Sequence, residues 1–289
     1  MELTSPKVIK ELAARHGFTF SKGLGQNFLL DPDVLEDICA AAGAADAAIE
    51  IGPGFGVLTK ELAKHFSSVV SVELDRRLVP VLEETLEGLD NVEILIGDVM
   101  KMDLGAVIAE RFPGQRVSVA ANLPYYITTP ILTGLLENKL PVSDIVVMIQ
   151  KEVAQRICAP AGTKEYGAIS VLCQYYTEPE IITIVPAGSF FPPPKVDSAV
   201  LRMHVPEKPN LESVDETLFF RIVRAAFAQR RKTLLNCLSH VFGYEKDVLT
   251  SALERAEISP MIRGEKLGLE EFERITKELK SIEERRHKT

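Results

Sequence analysis

The sequence predicts an α/β fold built on a mostly parallel sheet, followed by a smaller helical domain. Short runs rich in β-branched residues recur along the first two thirds of the chain: AAIEI (47–51), VVSVE (69–73), VEILI (92–96), RVSVA (116–120) and DIVVMI (144–149). Amphipathic segments such as VLTKELAKHF (57–66) and LVPVLEETLEGL (78–89) separate them. Apolar strands that alternate with helices are typical of βαβ units and not of hairpins.

A change of pattern near residue 206 predicts a boundary between two domains. The last β-like run, AVLRMHV (199–205), is followed by the Pro-rich polar segment PEKPNLES (206–213), and helical periodicity dominates beyond it. A chain of 289 residues is long enough for one large core and a smaller one. We therefore predict a first domain over residues 1–205 and a second over residues 206–289.

An early helix is predicted to begin at Pro32, directly after Asp31. Aspartate is a favoured N-cap, and proline is favoured at the first helical position. The preceding segment KGLGQNF (22–28) is then a loop whose glycines permit tight turns.

The bulk composition indicates a soluble, fully folded protein. Hydrophobic residues make up 46% and charged residues 26% of the chain, close to the average for globular proteins. The sequence has neither a signal-peptide pattern nor an apolar run of the roughly 18 residues that a membrane span needs, so we expect a cytoplasmic protein without a membrane partner.

Four cysteines lack CxxC spacing and a nearby His cluster, so we expect no disulfide and no metal site: Cys39, Cys158, Cys173 and Cys237.

The net charge of −8 is unevenly distributed. Residues 206–289 contain 16 Lys and Arg against 15 Asp and Glu, whereas residues 1–205 contain 17 against 26. An acidic chain is unfavourable for nucleic-acid binding, but residues 219–232 contain basic side chains and no acid: Arg221, Arg224, Arg230, Arg231 and Lys232. On one helix, Arg221, Arg224 and Arg231 would share a face. Such a face can be merely solvated, but it is also the densest candidate for contacts with RNA phosphates.

The first candidate site is the glycine-rich turn EIGPGFG (50–56), between a predicted strand and a helix. Glycines such as Gly52 and Gly54 let a ligand approach the backbone closely and leave helix N–H groups directed at it. An ordinary tight turn between a strand and a helix would also explain them. The dinucleotide fingerprint G-x-G-x-x-G is not matched, because Val57 stands where its third glycine falls. A nicotinamide or flavin cofactor is therefore disfavoured.

Polar residues come directly after three of the predicted strands. Glu73, Asp98 and Asn122 would all lie at the carboxyl edge of a parallel sheet, where open α/β sheets bind ligands. Glu73 lies 21 residues after Gly52, a spacing at which an acid reaches the hydroxyls of a ribose. Asp98 alone could be a solvated turn residue, but three such residues beside a glycine-rich turn predict a ligand site.

The tetrapeptide Asn122-Leu123-Pro124-Tyr125 is the most specific signal. It resembles the signature of methyltransferases that modify the exocyclic amines of adenine and cytosine. Such an amine is a poor nucleophile because its lone pair is delocalised into the ring, and acceptors on its two hydrogens favour the geometry that can attack a methyl group. The resemblance assigns these acceptors to the Asn122 side chain and the Leu123 carbonyl. Pro124 would stiffen the turn, and Tyr125 would stack on a base taken out of its helix.

Two flanking segments extend the resemblance to one family. KGLGQNFL (22–29) and FFPPPKVDS (190–198) are similar to the GQNFL and F-x-P-x-P-x-V-x-S elements of the ribosomal RNA adenine N6,N6-dimethyltransferases, and AFAQRRKTLLN (226–236) is also similar. The resemblance implies a class I, Rossmann-like methyltransferase that depends on S-adenosylmethionine, with a small C-terminal helical RNA-binding domain. Without that family context, the PPP run alone would be a stiff connector.

The same resemblance implies roles for individual residues. Asn27 and Leu29 would close over the cofactor, and Gly52 would lie against it. Glu73 would hold its ribose and Asp98 would recognise its adenine. Phe190 would hold the target base from the side opposite Tyr125.

The activity that the resemblance implies is dimethylation of the N6 amines of two adjacent adenines near the 3′ end of small-subunit (16S) rRNA. The expected partner is that rRNA within a pre-ribosomal 30S particle, with a role in small-subunit biogenesis. We expect a monomer. We also expect no metal, because the methyl donor is already activated by its charge. Two alternatives stay open: a large-subunit rRNA methyltransferase of the macrolide-resistance type, whose members tend to be strongly basic, and an assembly factor whose binding role dominates. DNA adenine methylases share the tetrapeptide but not the flanking elements.

Overall fold

The computed structural model describes residues 1–20, 26–43, 45–208, 210–211 and 214–286. Residues Lys22, Gly23, Leu24 and Gly25 of the predicted loop lie outside these ranges, as do Pro209, Glu212 and Ser213 of the predicted interdomain segment. The chain divides into two compact units, Met1–Ala154 with Glu178–Val205, and Gln155–Thr177 with Pro206–Thr289.

One segment departs from the predicted division of the chain. Residues 155–177 precede residue 206, yet they group with the C-terminal unit. Contacts within that unit explain the grouping. The Tyr175 and Tyr176 hydroxyls donate to the Glu216 carboxylate at 3.3 and 3.4 Å, and Asn210 Nδ2 donates to the Gln174 carbonyl at 2.7 Å. Local composition carries no signal of such long-range contacts, so a boundary drawn from composition alone assigns this segment wrongly.

The first unit contains a sheet of seven strands and a separate ladder of two short strands. The described strands of the unit are β1 (Phe28–Leu29), β2 (Ala47–Ile51), β3 (Ser68–Glu73), β4 (Val92–Ile96), β5 (Val117–Asn122), β6 (Asp144–Gln150), β7 (Glu178–Val185), β8 (Phe190–Phe191) and β9 (Ser198–His204), of which β1 and β8 form the ladder. The sheet order is β4-β3-β2-β5-β6-β9-β7. Strands β2 to β6 are parallel, and β9 pairs antiparallel with both β6 and β7. The predicted mostly parallel sheet is confirmed.

Helices α3 (Val57–His65), α4 (Val79–Thr85), α5 (Leu104–Arg111) and α6 (Thr128–Glu137) connect the parallel strands. Helices α1 (Pro6–Arg15) and α2 (Pro32–Ala41) precede them, and α7 (Lys151–Ile157) follows β6. The predicted start of α2 is confirmed, because the Asp31 carboxylate accepts from the Asp33 N–H at 3.2 Å and Pro32 opens the helix. The helical pattern over residues 78–89 is shorter than predicted. Helix α4 ends at Thr85, and Gly88 then adopts a φ of +82°, which a right-handed helix does not allow.

The sheet topology creates a crevice at the carboxyl end of β2. This strand pairs with β3 on one side and β5 on the other, so the strand order reverses here. In open α/β sheets, ligands bind outside the carboxyl ends of the strands at such a switch point. The predicted Rossmann-like architecture is thus confirmed.

A short antiparallel ladder joins the segment before α2 to the segment after β7. Phe28 pairs with Phe191, and Leu29 pairs with Phe190. The Phe28 ring packs edge-on against Phe55, with 4.8 Å between the ring centroids. The ladder ties together the GQNFL and F-x-P-x-P-x-V-x-S elements, which are far apart in the sequence.

The second unit is helical. Beyond the end of α7 it contains α8 (Ala168–Tyr176), α9 (Glu216–Ala228), α10 (Leu234–Phe242), α11 (Lys246–Arg255) and α12 (Leu269–Arg286). Aromatic rings form its core: Tyr175 lies 4.9 Å from Phe219 and 5.0 Å from Phe220, and Phe219 lies 6.2 Å from Phe272, between ring centroids. Among the described residues, the length and apolar character that a membrane crossing demands do not coincide in any helix.

Candidate active site

A cavity in the first unit opens at the carboxyl ends of β2, β3, β4 and β5. Most of the predicted site residues line it: Asn27, Gly52, Gly54, Glu73, Asp98, Asn122, Leu123, Pro124 and Tyr125. These residues are scattered over about a hundred positions of the sequence, and the parallel sheet brings them together as predicted.

The glycine-rich turn between β2 and α3 forms one wall of the cavity. Gly52 and Gly54 have φ angles of +73° and +59°, which disfavour any residue with a Cβ. A Cβ at Gly54 would lie 2.5 Å from Cε1 of Phe28, whereas a Cβ at Gly52 would meet no atom within 4 Å. Gly54 therefore permits packing against β1, and Gly52 leaves the backbone open to a ligand in the cavity.

Glu73 ends β3 and is held rigidly by backbone N–H groups. Its Oε1 accepts from the Asp75 N–H at 2.7 Å, and its Oε2 accepts from the Gly54 N–H at 3.2 Å. Burial raises the pKa of the Glu73 carboxyl, and these N–H donors partly oppose that effect. Since a carboxylate can accept about four hydrogen bonds, acceptor capacity remains for ligand hydroxyls. This geometry suits the adjacent hydroxyls of a ribose.

Asp98 stands after β4, beside apolar side chains. Its Oδ1 accepts from the Met100 N–H at 3.1 Å, and its Oδ2 lies 3.4 Å from the Lys101 ammonium. Val99 and Met100 line the cavity next to it. An acceptor beside an apolar wall is the arrangement that binds the amine edge and the face of a nucleobase.

Asn122 ends β5, and its amide group has a fixed orientation. Nδ2 donates to the backbone carbonyl of Asn27 at 2.8 Å. This bond leaves Oδ1 as the acceptor that the side chain can offer to a ligand. The Leu123 N–H donates to the Met148 carbonyl at 3.1 Å, which anchors the turn to β6. Because Asn122 lines the cavity, its Oδ1 is placed where the predicted acceptor would act.

The rest of the tetrapeptide forms the turn into α6. The Pro124 carbonyl accepts from the Ile127 N–H at 3.1 Å and from the Thr128 hydroxyl at 3.2 Å. Tyr125 is half-buried, and its hydroxyl lies 2.6 Å from the Ser198 Oγ. Burial raises the pKa of the Tyr125 hydroxyl, so the ring is neutral at physiological pH.

Two of the residues predicted to act in catalysis or cofactor binding lie outside the cavity lining. Leu29 and Phe190 pair in the β1–β8 ladder and are 3% and 4% exposed. Both belong to the core of the first unit. Sequence reasoning missed Phe28, Leu74 and Tyr126, which do line the cavity. Each is adjacent to a residue that was predicted, so extending each motif by one position would have found them.

The predicted helical face of basic residues is wrong. Helix α9 ends at Ala228, so Arg230, Arg231 and Lys232 lie in the turn that follows and not on the helix of Arg221 and Arg224. Gln229 leaves the helical conformation, with φ −135° and ψ 77°. Arg230 then donates to the backbone carbonyls of Lys164 and Tyr166, at 2.8 and 3.0 Å, which fixes the turn.

The five basic residues fall into two groups. Arg230 and Arg221 have partners within the second unit: the Arg221 guanidinium lies 4.3 Å from the centroid of the Phe242 ring and 4.0 Å from the Glu283 carboxylate. All five residues are exposed, and Arg224, Arg231 and Lys232 form the second group. We call these three residues the basic surface.

Known proteins resemble this chain in sequence and in structure. Residues 17–281 match the family described as ribosomal RNA adenine dimethylase. The ribosomal RNA small subunit methyltransferase A of Bacillus mycoides (strain KBAB4) is 50% identical over 96% of this chain and 97% of its own length. A dimethyladenosine transferase from Plasmodium falciparum has a similar crystal structure, with a TM-score of 0.73 and 25% identity over 88% of this chain and 98% of that one. The 23S rRNA methyltransferase ErmE has a TM-score of 0.66 and 27% identity over 88% of this chain and all of that one.

The family match covers almost the whole chain, including the glycine-rich turn, the tetrapeptide and most of the helical unit. The likeness to the Bacillus protein extends over nearly the full length of both chains. The chain therefore belongs to the ribosomal RNA adenine dimethylase family, with a class I methyltransferase fold.

Proposed function

We propose that this chain transfers methyl groups from S-adenosylmethionine to the N6 amines of two adjacent adenines near the 3′ end of small-subunit rRNA. The observation that carries the proposal is the pairing of Asn122 and Glu73 in one cavity. Asn122 offers a fixed acceptor to an amine, and Glu73 offers a fixed carboxylate to a ribose.

The residues of the cavity fit S-adenosylmethionine. Glu73 accepts from the ribose hydroxyls, Asp98 accepts from the adenine amine, and Gly52 lets the backbone approach the cofactor closely. The cofactor supplies a methyl group activated by a positively charged sulfur. A donor that is already charged needs no metal for activation.

The remaining residues of the cavity act on the target adenine. The Asn122 Oδ1 and the Leu123 carbonyl accept the two N6 hydrogens, which makes the nitrogen lone pair more available for attack. Tyr125 stacks on the base. With the cofactor bound, the amine would form its bond to the methyl carbon as the carbon–sulfur bond breaks, and one N6 proton would pass to solvent. A second transfer replaces the second hydrogen. Orientation of this kind supplies up to about 7–11 kcal/mol in favourable cases.

The small-subunit substrate is favoured over the large-subunit alternative. The chain is 50% identical to a small-subunit enzyme and 27% identical to ErmE, which acts on 23S rRNA. Its net charge of −8 also differs from the strong basicity typical of the macrolide-resistance type. We propose that a monomer acts in the cytoplasm on a pre-ribosomal 30S particle, bound through the basic surface, and that this binding contributes to small-subunit biogenesis.

An Asn122→Ala variant tests the proposal. It loses the side-chain acceptor, so single-turnover methylation of unmethylated small subunits should fall about 10²–10³-fold. Binding of S-adenosylmethionine, measured by calorimetry, should stay within about tenfold, because Glu73 and Asp98 are intact. The variant should still pull down small subunits. Asn138→Ala, which removes an exposed amide at the end of α6, is the matched control.

Mapping the modified adenines identifies the substrate directly. The rRNA of cells with and without the protein should differ at two adjacent adenines near the 3′ end of the small-subunit rRNA. Methylation confined to large-subunit rRNA would contradict the proposal, as would near-normal single turnover by Asn122→Ala.

A further inference from the structure

The Tyr125 ring is fixed at both of its ends. Its backbone belongs to the turn in which the Pro124 carbonyl accepts from the Ile127 N–H and the Thr128 hydroxyl. At the far end of the ring, the phenolic oxygen lies 2.6 Å from the Ser198 Oγ. The phenolic oxygen lies on the Cβ–Cγ axis of the side chain, so this contact fixes the direction of that axis and hence the place where the ring lies.

Ser198 is itself rigidly placed. It is fully buried and is the first residue of β9, where it pairs with Gln150 of β6 and with Val185 of β7. The preceding residue, Asp197, accepts from the Lys151 N–H through its carbonyl and from the Ala187 N–H through its carboxylate, both at 3.1 Å. The Ser198 hydroxyl is therefore a fixed point for the ring.

Ser198 also ends the FFPPPKVDS element, to which the proposed mechanism gives no role. Phe190, at the start of that element, is buried in the core. The element thus reaches a residue of the cavity through its last side chain, and the contact spans 73 positions of the sequence.

We propose that Ser198 is a positioning residue, whose hydroxyl holds the Tyr125 ring at the place where it stacks on the target adenine. The inference rests on the proposed function of Tyr125 as the stacking platform. Without the hydroxyl contact, the far end of the ring can move away, and the adenine amine loses its alignment with the Asn122 acceptor. The loss falls on the reacting complex, while cofactor binding and subunit binding depend on other residues.

A double-mutant cycle between Ser198→Ala and Tyr125→Phe tests the inference. Each variant removes one hydroxyl of the same contact, and Tyr125→Phe keeps the ring. We expect kcat on unmethylated small subunits to fall about tenfold in each single variant, because each loses the same hydrogen bond. The double variant should have the kcat of the single variants, since the contact can be lost only once. KM for small subunits and the affinity for S-adenosylmethionine should change less than about twofold.

Ser118→Ala is the matched control. Ser118 is also fully buried in the sheet, and its hydroxyl donates to the Ala42 carbonyl at 2.8 Å. This variant should keep the wild-type kcat. If Ser198→Ala fails to fold, Tyr125→Phe carries the test, because it changes no strand residue.

Different results would overturn the role of Ser198 and the proposed function of the protein. Wild-type kcat in Tyr125→Phe, or a double variant whose loss equals the product of the single losses, would overturn the role of Ser198 alone. Absence of methylation by the wild-type protein in the same assay would overturn the proposed function and this inference with it.

Discussion

Glu50 is a buried carboxyl group beside the candidate site. It is 1% exposed, and its Oε2 accepts from the Thr59 and Ser71 hydroxyls at 2.6 Å each. Burial disfavours the ionised form more than these hydroxyls favour it, which raises the pKa of Glu50 from 4.5 to about 7. The folded protein therefore holds this proton more tightly than the unfolded chain does.

The raised pKa of Glu50 predicts a loss of stability as pH rises. The proton on Glu50 contributes fully to the free energy of unfolding below the pKa that Glu50 has in the unfolded chain. This contribution is lost between about pH 4.5 and about pH 7, because in that window the unfolded chain has already released the proton. Glu50→Gln mimics the neutral acid and should lack this component. Urea denaturation of both proteins from about pH 5 to about pH 8 should show the free energy of unfolding of the wild type falling relative to the variant. A constant difference across that range would contradict the prediction.

At the residue scale, the sequence reveals site residues whose position in the chain implies their place in the fold. Glu73, Asp98 and Asn122 follow strands of a parallel sheet, so their convergence could be predicted from strand positions alone. The contact between Tyr125 and Ser198 could not, because no periodicity relates residues on β9 to the turn after β5. The same limit applies to Phe190, whose burial depends on its ladder partner Leu29.

The glycine-rich turn gives a contrast between two neighbouring glycines. Both have positive φ angles, so alanine costs about 1–2 kcal/mol of backbone strain at either position. Alanine at Gly54 also places its Cβ 2.5 Å from the Phe28 ring. Overpacking of that kind adds about 1–3 kcal/mol. Gly54→Ala should therefore lower the free energy of unfolding more than Gly52→Ala does, as measured by urea denaturation.

The two glycine variants should also differ in their affinity for the cofactor. Gly52→Ala should weaken binding of S-adenosylmethionine in calorimetry, because its methyl group would project into the cavity that Gly52 lines. Equal stability losses in the two variants, or unchanged affinity in Gly52→Ala, would refute the roles assigned to this turn.

The turn after α9 yields a prediction about RNA binding. Replacing Arg224, Arg231 and Lys232 with Gln removes exposed charge while Arg221 and Arg230 keep their partners. Binding to small subunits should weaken, and the slope of log affinity against log salt should fall by up to about one unit per lost phosphate contact. Filter binding over a range of salt concentrations measures that slope.

The double variant Arg221→Gln with Arg230→Gln is the matched control. It removes charges that are engaged within the second unit, so it should lower thermal stability more than the triple variant does. An unaltered salt slope in the triple variant would show that the basic surface is merely solvated.

Elements with strong local patterns were predicted well, and those that depend on distant partners were not. The predicted runs AAIEI and VEILI coincide with β2 and β4, and Asp31 caps α2 as predicted. The edge strand β7 and the two-residue strands β1 and β8 went unpredicted. Their pairing partners are far away in the sequence, and two residues are too few to establish a period.

At the scale of the whole molecule, charge is divided in the same way as the proposed functions. Residues 1–205 have 17 basic against 26 acidic residues, and residues 206–289 have 16 against 15. An acidic part of the chain repels RNA in general, so the proposed function assigns RNA binding to the other part. This uneven distribution of charge could be predicted by counting charged residues. The grouping of residues 155–177 with the second unit could not, because it depends on contacts with residues beyond 206.

Those contacts predict how truncated chains behave. A chain ending at Val205 keeps residues 155–177 but loses their partners. Tyr175 would lose its contacts with Glu216, Phe219 and Phe220. Its ring, which is only 1% exposed in the intact chain, would then face solvent. We expect this chain to aggregate or to unfold at lower urea concentration, because freshly exposed apolar patches promote association.

The informative control replaces residues 155–177 in the truncated chain with a Gly-Ser linker of the same length. A flexible linker of equal length spans any distance that the native segment spans, and it exposes no apolar side chains. The linker chain should stay monomeric in sedimentation experiments and should unfold in a single cooperative transition, whereas the chain with residues 155–177 should not. If both truncated chains were equally soluble and unfolded at the same urea concentration, residues 155–177 would not depend on the C-terminal helices. The boundary near residue 206, drawn from composition alone, would then describe the folding units better than the contacts do.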